Sequence, residues 1–431
     1  MKIILIVFVL FGLLSGCASP GIDYTSENET DISQEREETT PKPNEKDSSD
    51  NESTVDLPPV ETAPPESDYL PAFEGQTRID GMKTRVETEV SVLTEELNQP
   101  WGIVTAPDGR FFVTEKQGAL RIVSASGEVS PPVSGFPALQ TQGQGGLLDL
   151  ALSPDFLQDR LIYFTLAEQT DQGSVTAVGQ ARLAEDETEL IDFTVIFRAL
   201  PYYEGSAHFG SRLIFASDGS LFVTTGDRQS DDTRMRAQTL DNGYGKVLHI
   251  DRTGQAIDDH FLDQADAWTE IYSYGHRNIQ GIAIHPETGD IWISEMGPRG
   301  GDELNLILPG KNYGWPLVSY GIEYSGARVL EGITQLEDTE QPVYYWDPVV
   351  APSGMVFYDS DVIAEWKNQL FIAGLRGSHV VRLMLENNRV IGEERLLQDM
   401  GERYRDLSVG MDGALYAVTD SGKMYRLGLK Q

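Results

Sequence analysis

The residues best suited to chemistry sit in a few polar segments beside apolar runs. The first is Ser206-Ala207-His208-Phe209-Gly210-Ser211-Arg212-Leu213. An imidazole titrates near working pH and can take a hydroxyl proton, which makes His208 a candidate general base. The chain holds six histidines, so a hydrogen-bonded structural histidine is the competing reading. The second segment is Tyr274-Gly275-His276-Arg277-Asn278-Ile279-Gln280-Gly281, and the third runs from Ser294 to Asn305, followed by Asn312-Tyr313-Gly314-Trp315-Pro316. Near the C-terminus, Arg403-Tyr404-Arg405-Asp406 adds two guanidinium groups. Arginines brought to one place repel unless an anion or buried carboxylates balance them, and guanidinium forks suit a ligand with several carboxylates. The alternative is that each arginine pairs with a neighbouring acid, as Arg405 would with Asp406. Gly297-Pro298, in a Gly-rich loop flanked by acids, can offer backbone carbonyls to a hard cation such as calcium, although the loop lacks the spacing of an EF-hand.

The elements that must position these residues repeat. An apolar strand, a turn of the Pro-Asp-Gly type and a second apolar strand appear at Ala106-Pro107-Asp108-Gly109 to Thr114. The phrase returns at Ala216-Ser217-Asp218-Gly219 to Thr224, at His285-Pro286-Glu287-Thr288-Gly289 to Ile293, and at Val409 to Thr419. Looser copies run from Ser153-Pro154-Asp155 to Phe164 and from Glu365 to Ile372. The turn residues supply tight-hairpin angles, and the strands are rich in β-branched and aromatic residues. Six copies at roughly 60 residues each predict an all-β, six-bladed β-propeller of four-stranded antiparallel blades. Propellers gather loops from every blade at one end of a central channel, so distant segments can meet there.

The N-terminus has a different character. Lys2 precedes an apolar run from Ile3 to Leu14, too short to span a bilayer, and Leu14-Ser15-Gly16-Cys17 resembles a lipobox. Cys17 is the only cysteine, so no internal disulfide explains it. Residues 1–17 therefore read as a lipoprotein signal peptide, and the expected location is the cell envelope, anchored by lipid. Residues 18–75, rich in Glu, Asp, Ser, Thr and Pro, read as a disordered acidic tether. Residues 76–431 make up the propeller. A net charge of −35 argues against nucleic acid or anionic lipid as partners and makes any cluster of arginines conspicuous.

The ordered set Gln142 to Leu148, His208 to Leu213, Gly275 to Asn278, Ser294 to Asn305, Asn312 to Pro316, Ala351-Pro352-Ser353 and Arg403 to Asp406 resembles the soluble glucose and aldose sugar dehydrogenases dependent on pyrroloquinoline quinone (PQQ). The resemblance implies PQQ and calcium as cofactors, a small aldose as substrate, and His208 as the base for oxidation at C1 to a lactone. By the same resemblance, Gln144 lies beside cofactor and substrate, Arg277 and Asn278 contact the quinone, and Arg376, Arg403 and Arg405 bind cofactor carboxylates. The carbonyls of Gly297 and Pro298 match ligands of the catalytic calcium, with Asp302 in its outer shell. Glu303 and the carbonyl of Tyr313 match ligands of a second, structural calcium. Four positions depart from the glucose dehydrogenase: Met296 replaces a glutamine, Arg376 a lysine, Ala207 an acid, and Asp347 a tryptophan over the sugar. These departures favour the aldose sugar dehydrogenase branch and broad aldose acceptance, by a monomer or homodimer with its electron acceptor left open. The rival readings are a calcium-dependent propeller lactonase and a non-catalytic propeller that binds glycan or protein.

Overall fold

The computed structural model describes residues 57–257 and 259–430. The expected signal peptide with Cys17, and the expected tether up to residue 56, lie outside the described residues. Within them, the chain folds as an all-β, six-bladed propeller of antiparallel sheets.

Each blade begins at the channel and builds outward. The innermost strands are Pro100–Thr105, Leu147–Leu152, Gly210–Phe215, Ile279–Ile284, Pro352–Phe357 and Tyr404–Val409, and each touches the next until the last closes on the first. The strand after each innermost one is covered on both faces by neighbouring strands and blades. For that reason Phe111–Glu115, Leu221–Thr225, Ile291–Glu295, Leu370–Gly374 and Leu415–Thr419 are buried at all five positions and each opens with at least three consecutive apolar residues. The ring is fastened by the N-terminal strand Thr88–Thr94, which pairs with the final strand Met424–Leu429 in the sixth blade.

Five sheets have four strands, whereas the blade of Pro100–Thr105, Phe111–Glu115 and Ala119–Val123 has three. Its expected fourth strand is reduced to the isolated bridges Val123↔Val129 and Leu120↔Val133. Pro131 and Pro132 fall there, and proline has no N–H to give a ladder.

The repeated turns form as expected. At the first, Gly109 N–H donates to Ala106 O at 2.9 Å and Gly109 takes φ 84°. The looser copies place Arg160 and Asn368 at φ 55° and 59° in the equivalent left-handed position. A Cβ on Gly109 would meet only Met411 Cγ at 3.9 Å, so Gly109→Ala should lower stability by about 1 kcal/mol through backbone strain alone. At Gly413, with φ 72°, a Cβ would also run into Val362, so Gly413→Ala should cost clearly more. Denaturant midpoints of the two variants check this ordering, and equal losses would contradict it.

The channel axis is filled by one side chain, Arg212. Its Nη1 meets Asp149 Oδ1 at 3.2 Å and Asp406 Oδ2 at 2.8 Å. Its Nε donates to Gln280 O at 2.6 Å, and Nη2 donates to Ser353 Oγ at 3.3 Å and Arg405 O at 3.0 Å. The guanidinium carbon lies 4.2 Å from the Trp101 ring centroid. Arg212 thus touches the innermost strand of every other blade. Burial pushes Asp149 up to about 7 despite Arg212.

The folded part begins earlier than residue 76. Residues 57–75 lie against the propeller: Leu57 and Gly81 exchange backbone hydrogen bonds, and Glu61 pairs with Arg395 at 2.8 Å. Buried Gln76 joins Tyr345 N and Pro342 O. Composition misreads this stretch because its attachment uses backbone groups, ion pairs and the isolated rings of Phe73 and Tyr69 under Arg389 and Arg328 rather than a periodic apolar pattern.

Candidate active site

Two kinds of position build the site. In a propeller blade, the start of the innermost strand and the end of its antiparallel neighbour share one face. The residues just before innermost strands include Gln99, Gln144, His208, Arg277 with Asn278, Ala351 and Arg403. The residues just after the neighbouring strands include Lys116, Asp227, Met296, Leu375 and Asp420. Most of these side chains line one cavity of about 370 Å³, together with Trp101, Gln280 and Arg405.

The cavity wall carries three cations, Lys116, Arg403 and Arg405, against a single carboxylate, Asp420. Arg403 Nε donates to Asp420 Oδ2 at 2.9 Å, and Arg405 Nε donates to Oδ1 at 3.0 Å. Arg405 does not pair with its neighbour Asp406, which instead serves Arg212 and Ile103 N. Successive strand residues point to opposite faces, so the two side chains diverge. Burial lowers Arg405, and burial followed by the Arg405 charge lowers Lys116. In a chain of net charge −35, a wall with two cations in excess is suited to a polyanion.

His208 does not itself line the cavity but adjoins the lining residues Phe209 and Gln144, with only 3% of its surface exposed. Its backbone takes φ 47°, and its N–H donates to Gln144 Oε1 at 2.8 Å. Nδ1 is 2.7 Å from Asp227 Oδ1, and Asp227 also accepts from Trp315 Nε1 and Gln229 N, each at 2.8 Å. Ionised Asp227 fixes the tautomer with the proton on Nδ1, leaving Nε2 as the acceptor. Burial, and next the Arg277 guanidinium, hold His208 below its ordinary 6.5, against the opposing pull of Asp227. Burial acts to raise Asp227, but the bond from His208 and nearby cations outweigh it and leave it lowered.

The loop that presents His208 is pinned by Arg228. Arg228 donates to Ala207 O, Ser174 O, Ser174 Oγ and Gly205 O at 2.6–3.1 Å, and it lies 3.9 Å from the Phe209 ring centroid. Asp227, Arg228, Lys116, Asp420 and Arg212 were not singled out as site residues from sequence. The signal was present: four of them follow the second apolar strand of a repeat, on the face that bears His208.

Arg277 lies over the Trp315 ring at 5.2 Å and donates through Nη1 to Met296 O at 2.8 Å and Gly297 O at 2.6 Å. Its Nε is buried and has no hydrogen-bond partner among the described residues. Asn278 accepts from Gly210 N at 3.2 Å and directs Nδ2 at the Met296 sulfur, 3.7 Å away. Arg376 stands apart from the other expected cofactor residues: its side chain is exposed and does not line the cavity, although its neighbour Leu375 does. The Arg376 and Gly377 N–H groups both donate to Val350 O, a turn that carries the Arg376 side chain outward. Asp347 is also outside the cavity wall, buried with its carboxylate bonded to Glu66 N and Ser67 N.

Among the described residues no three His, Cys, Asp or Glu side chains converge, so a hard cation here needs backbone oxygens. The loop after Glu295 offers them. Asp302, pushed by burial up to about 7, accepts from Gly297 N at 2.8 Å and Ala351 N at 2.7 Å, which places it behind the loop. Gly297 O now accepts from Arg277, and a cation on that carbonyl requires the guanidinium to give way. Behind the loop, Arg277, Glu295, Gly297, Pro298, Glu303 and Tyr313 help line a cavity of about 10 Å³, room for one water-sized occupant. Burial, and next the Glu295 charge, push Glu303 well above its ordinary value, and a divalent ion would relieve both effects.

A model of the glucose/sorbosone dehydrogenase family matches residues 97–426. The chain belongs to that family. It is 41% identical over 344 residues to the aldose sugar dehydrogenase of Escherichia coli strain K12, covering 78% of this chain and 92% of that protein. The apo crystal structure of the soluble E. coli enzyme covers 80% of this chain and all of its own, with a TM-score of 0.76 at 40% identity. The PQQ-bound aldose sugar dehydrogenase of Streptomyces coelicolor covers 81% of this chain and all of its own, with a TM-score of 0.66 at 25% identity. In this glucose/sorbosone dehydrogenase the sequence-selected residues Gln144, His208, Arg277, Asn278, Arg403 and Arg405 meet at one end of the channel. Gly297, Pro298, Asp302, Glu303 and Tyr313 gather beside them.

Proposed function

We propose that this family member oxidises aldoses at C1 to lactones, with PQQ and calcium held at the channel mouth. The observation that carries the reading is the excess of guanidinium and ammonium groups over carboxylate, placed beside a buried His208–Asp227 pair. When bound, PQQ supplies a two-electron acceptor and calcium a Lewis acid that polarises its carbonyl. Arg403, Arg405 and Lys116 bind the cofactor carboxylates, while Gln144 and Asn278 hold its edges. Gly297 and Pro298 offer carbonyls to the calcium, Asp302 steadies their loop, and Glu303 with Tyr313 serves a second calcium.

The chemistry left to the protein is a proton transfer. His208 Nε2 takes the proton from the C1 hydroxyl as the C1–H bond is given up as hydride, and C1–O becomes the lactone carbonyl. Asp227 stabilises the imidazolium that results. We further propose export and anchoring through Cys17.

Two measurements on the full chain test this reading. Adding PQQ with calcium should shift the cofactor absorbance, and an aldose should then reduce an artificial dye. Lactone hydrolysis with no dye reduction across a panel of aldoses would overturn it in favour of the lactonase. A chain inert in both assays and without PQQ binding would instead support a binding propeller.

A further inference from the structure

We propose that the segment just after the tether is part of the active-site machinery, with Glu66 and Ser67 as positioning residues for the loop that bears Gly297 and Pro298. The calcium role of that loop rests on the function proposed above; its mechanical dependence on the segment does not.

The argument turns on Asp347. It ends the fourth blade, one residue past Tyr344–Trp346, and only 4% of its surface is exposed. Among the described residues its carboxylate has three hydrogen bonds, all from this segment. Glu66 N donates to Oδ1 at 2.8 Å, and Ser67 N and Oγ donate to Oδ2 at 3.2 and 3.0 Å. On its other side the carboxylate abuts the loop: a Cβ on Gly300 would sit 2.7 Å from Oδ1. A buried carboxylate stripped of its donors must draw in water or move, and Gly300 is what it would move against.

The segment also grips the loop directly. Arg299 Nε donates to Glu66 Oε2 at 2.7 Å. Arg78 ties the segment together and joins it to the same corner, donating to Glu61 O, Ala63 O and Asp347 O. The rest of the loop is held by the propeller: Gly297 N on Asp302, Gly301 N on Trp346 O, and Arg299 paired through its backbone with Ile322. The Arg299 side chain and Gly300, just after Pro298, are the part of the loop that meets the N-terminal segment and Asp347. Geometry at a metal ligand is commonly set by groups of this kind, and their loss lowers metal affinity about 10–100-fold.

The test uses the full chain with the double change Glu66→Ala and Ser67→Ala, which removes the Arg299 partner and the Ser67 hydroxyl but leaves the two backbone N–H donors, and, separately, Asp347→Asn, which replaces the acceptor itself. Hydrogen exchange of metal-free protein should show faster exchange at 297–301, with the other blades unchanged. The calcium concentration giving half of the PQQ absorbance change should rise about tenfold, with dye reduction largely restored at saturating calcium. Should Asp347→Asn fold poorly, the double variant decides, because it leaves the Asp347 carboxylate and its two backbone donors intact. Wild-type exchange at 297–301 in the double variant would overturn the inference. A wild-type chain that shows no PQQ absorbance change would overturn the calcium reading, leaving exchange to decide the role of the segment.

Discussion

Replacing His208 with glutamine is expected to lower kcat for aldose oxidation by about 10²–10⁴-fold, the usual contribution of a positioned general base. PQQ affinity should stay within a few-fold, because His208 does not itself line the cavity. Asp227→Asn should lose activity through a different route. An amide can present its oxygen or its NH₂ to Nδ1, so the tautomer with Nε2 free is no longer enforced. The pH profile separates these effects from simple unfolding. His208 must be neutral to act, and its folded value is lowered, so the neutral form persists to a pH below 6.5. The acid limb of kcat/KM should therefore fall below the ordinary imidazole range. Stopped-flow reduction of the enzyme by glucose across pH 5–9 reads both quantities. A limb above pH 6.5, or a His208→Gln variant at wild-type speed, would remove His208 from the mechanism.

The second large effect concerns Arg403 and Arg405. Each guanidinium can give a charge-assisted hydrogen bond to a ligand carboxylate, worth about 1.5–3 kcal/mol, or roughly 10–150-fold in affinity. Arg403→Ala and Arg405→Ala should each weaken PQQ binding by that order, and the double change by more, with kcat at saturating PQQ altered much less. Arg405 should matter more, because it is largely buried and bonded to Asp420 twice, which holds it in place without reorganisation. Fluorescence or absorbance titration at two salt concentrations checks this, since an ionic wall weakens as salt rises. Unchanged affinity in the double variant would mean the anion is held elsewhere.

Much of this was readable from residues alone. The apolar strands and left-handed turn positions are short-range features, so the six repeats announced the propeller before any coordinates. His208, Arg277 and Asn278 were visible in polar segments one or two residues before an innermost strand, whereas Gln144 was reached only through the family resemblance. The exceptions have physical causes. Arg376 carries the right charge, but its turn directs it to solvent. Residues 57–75 read as tether because no apolar pattern marks them. The fourth strand of the first blade is interrupted by Pro131 and Pro132.

The sequence by itself determined the six-fold repeat, the candidate base His208 and the arginines Arg277, Arg403 and Arg405. Only the tertiary structure decided which charges neutralise one another. Asp420 rather than Asp406 answers Arg405, Asp227 holds His208, Arg212 takes Asp149 and Asp406 at the axis, and Asp347 holds the N-terminal segment. Local patterns follow from neighbouring residues, whereas these partnerships join groups far apart in the chain that meet only once the ring of blades has closed.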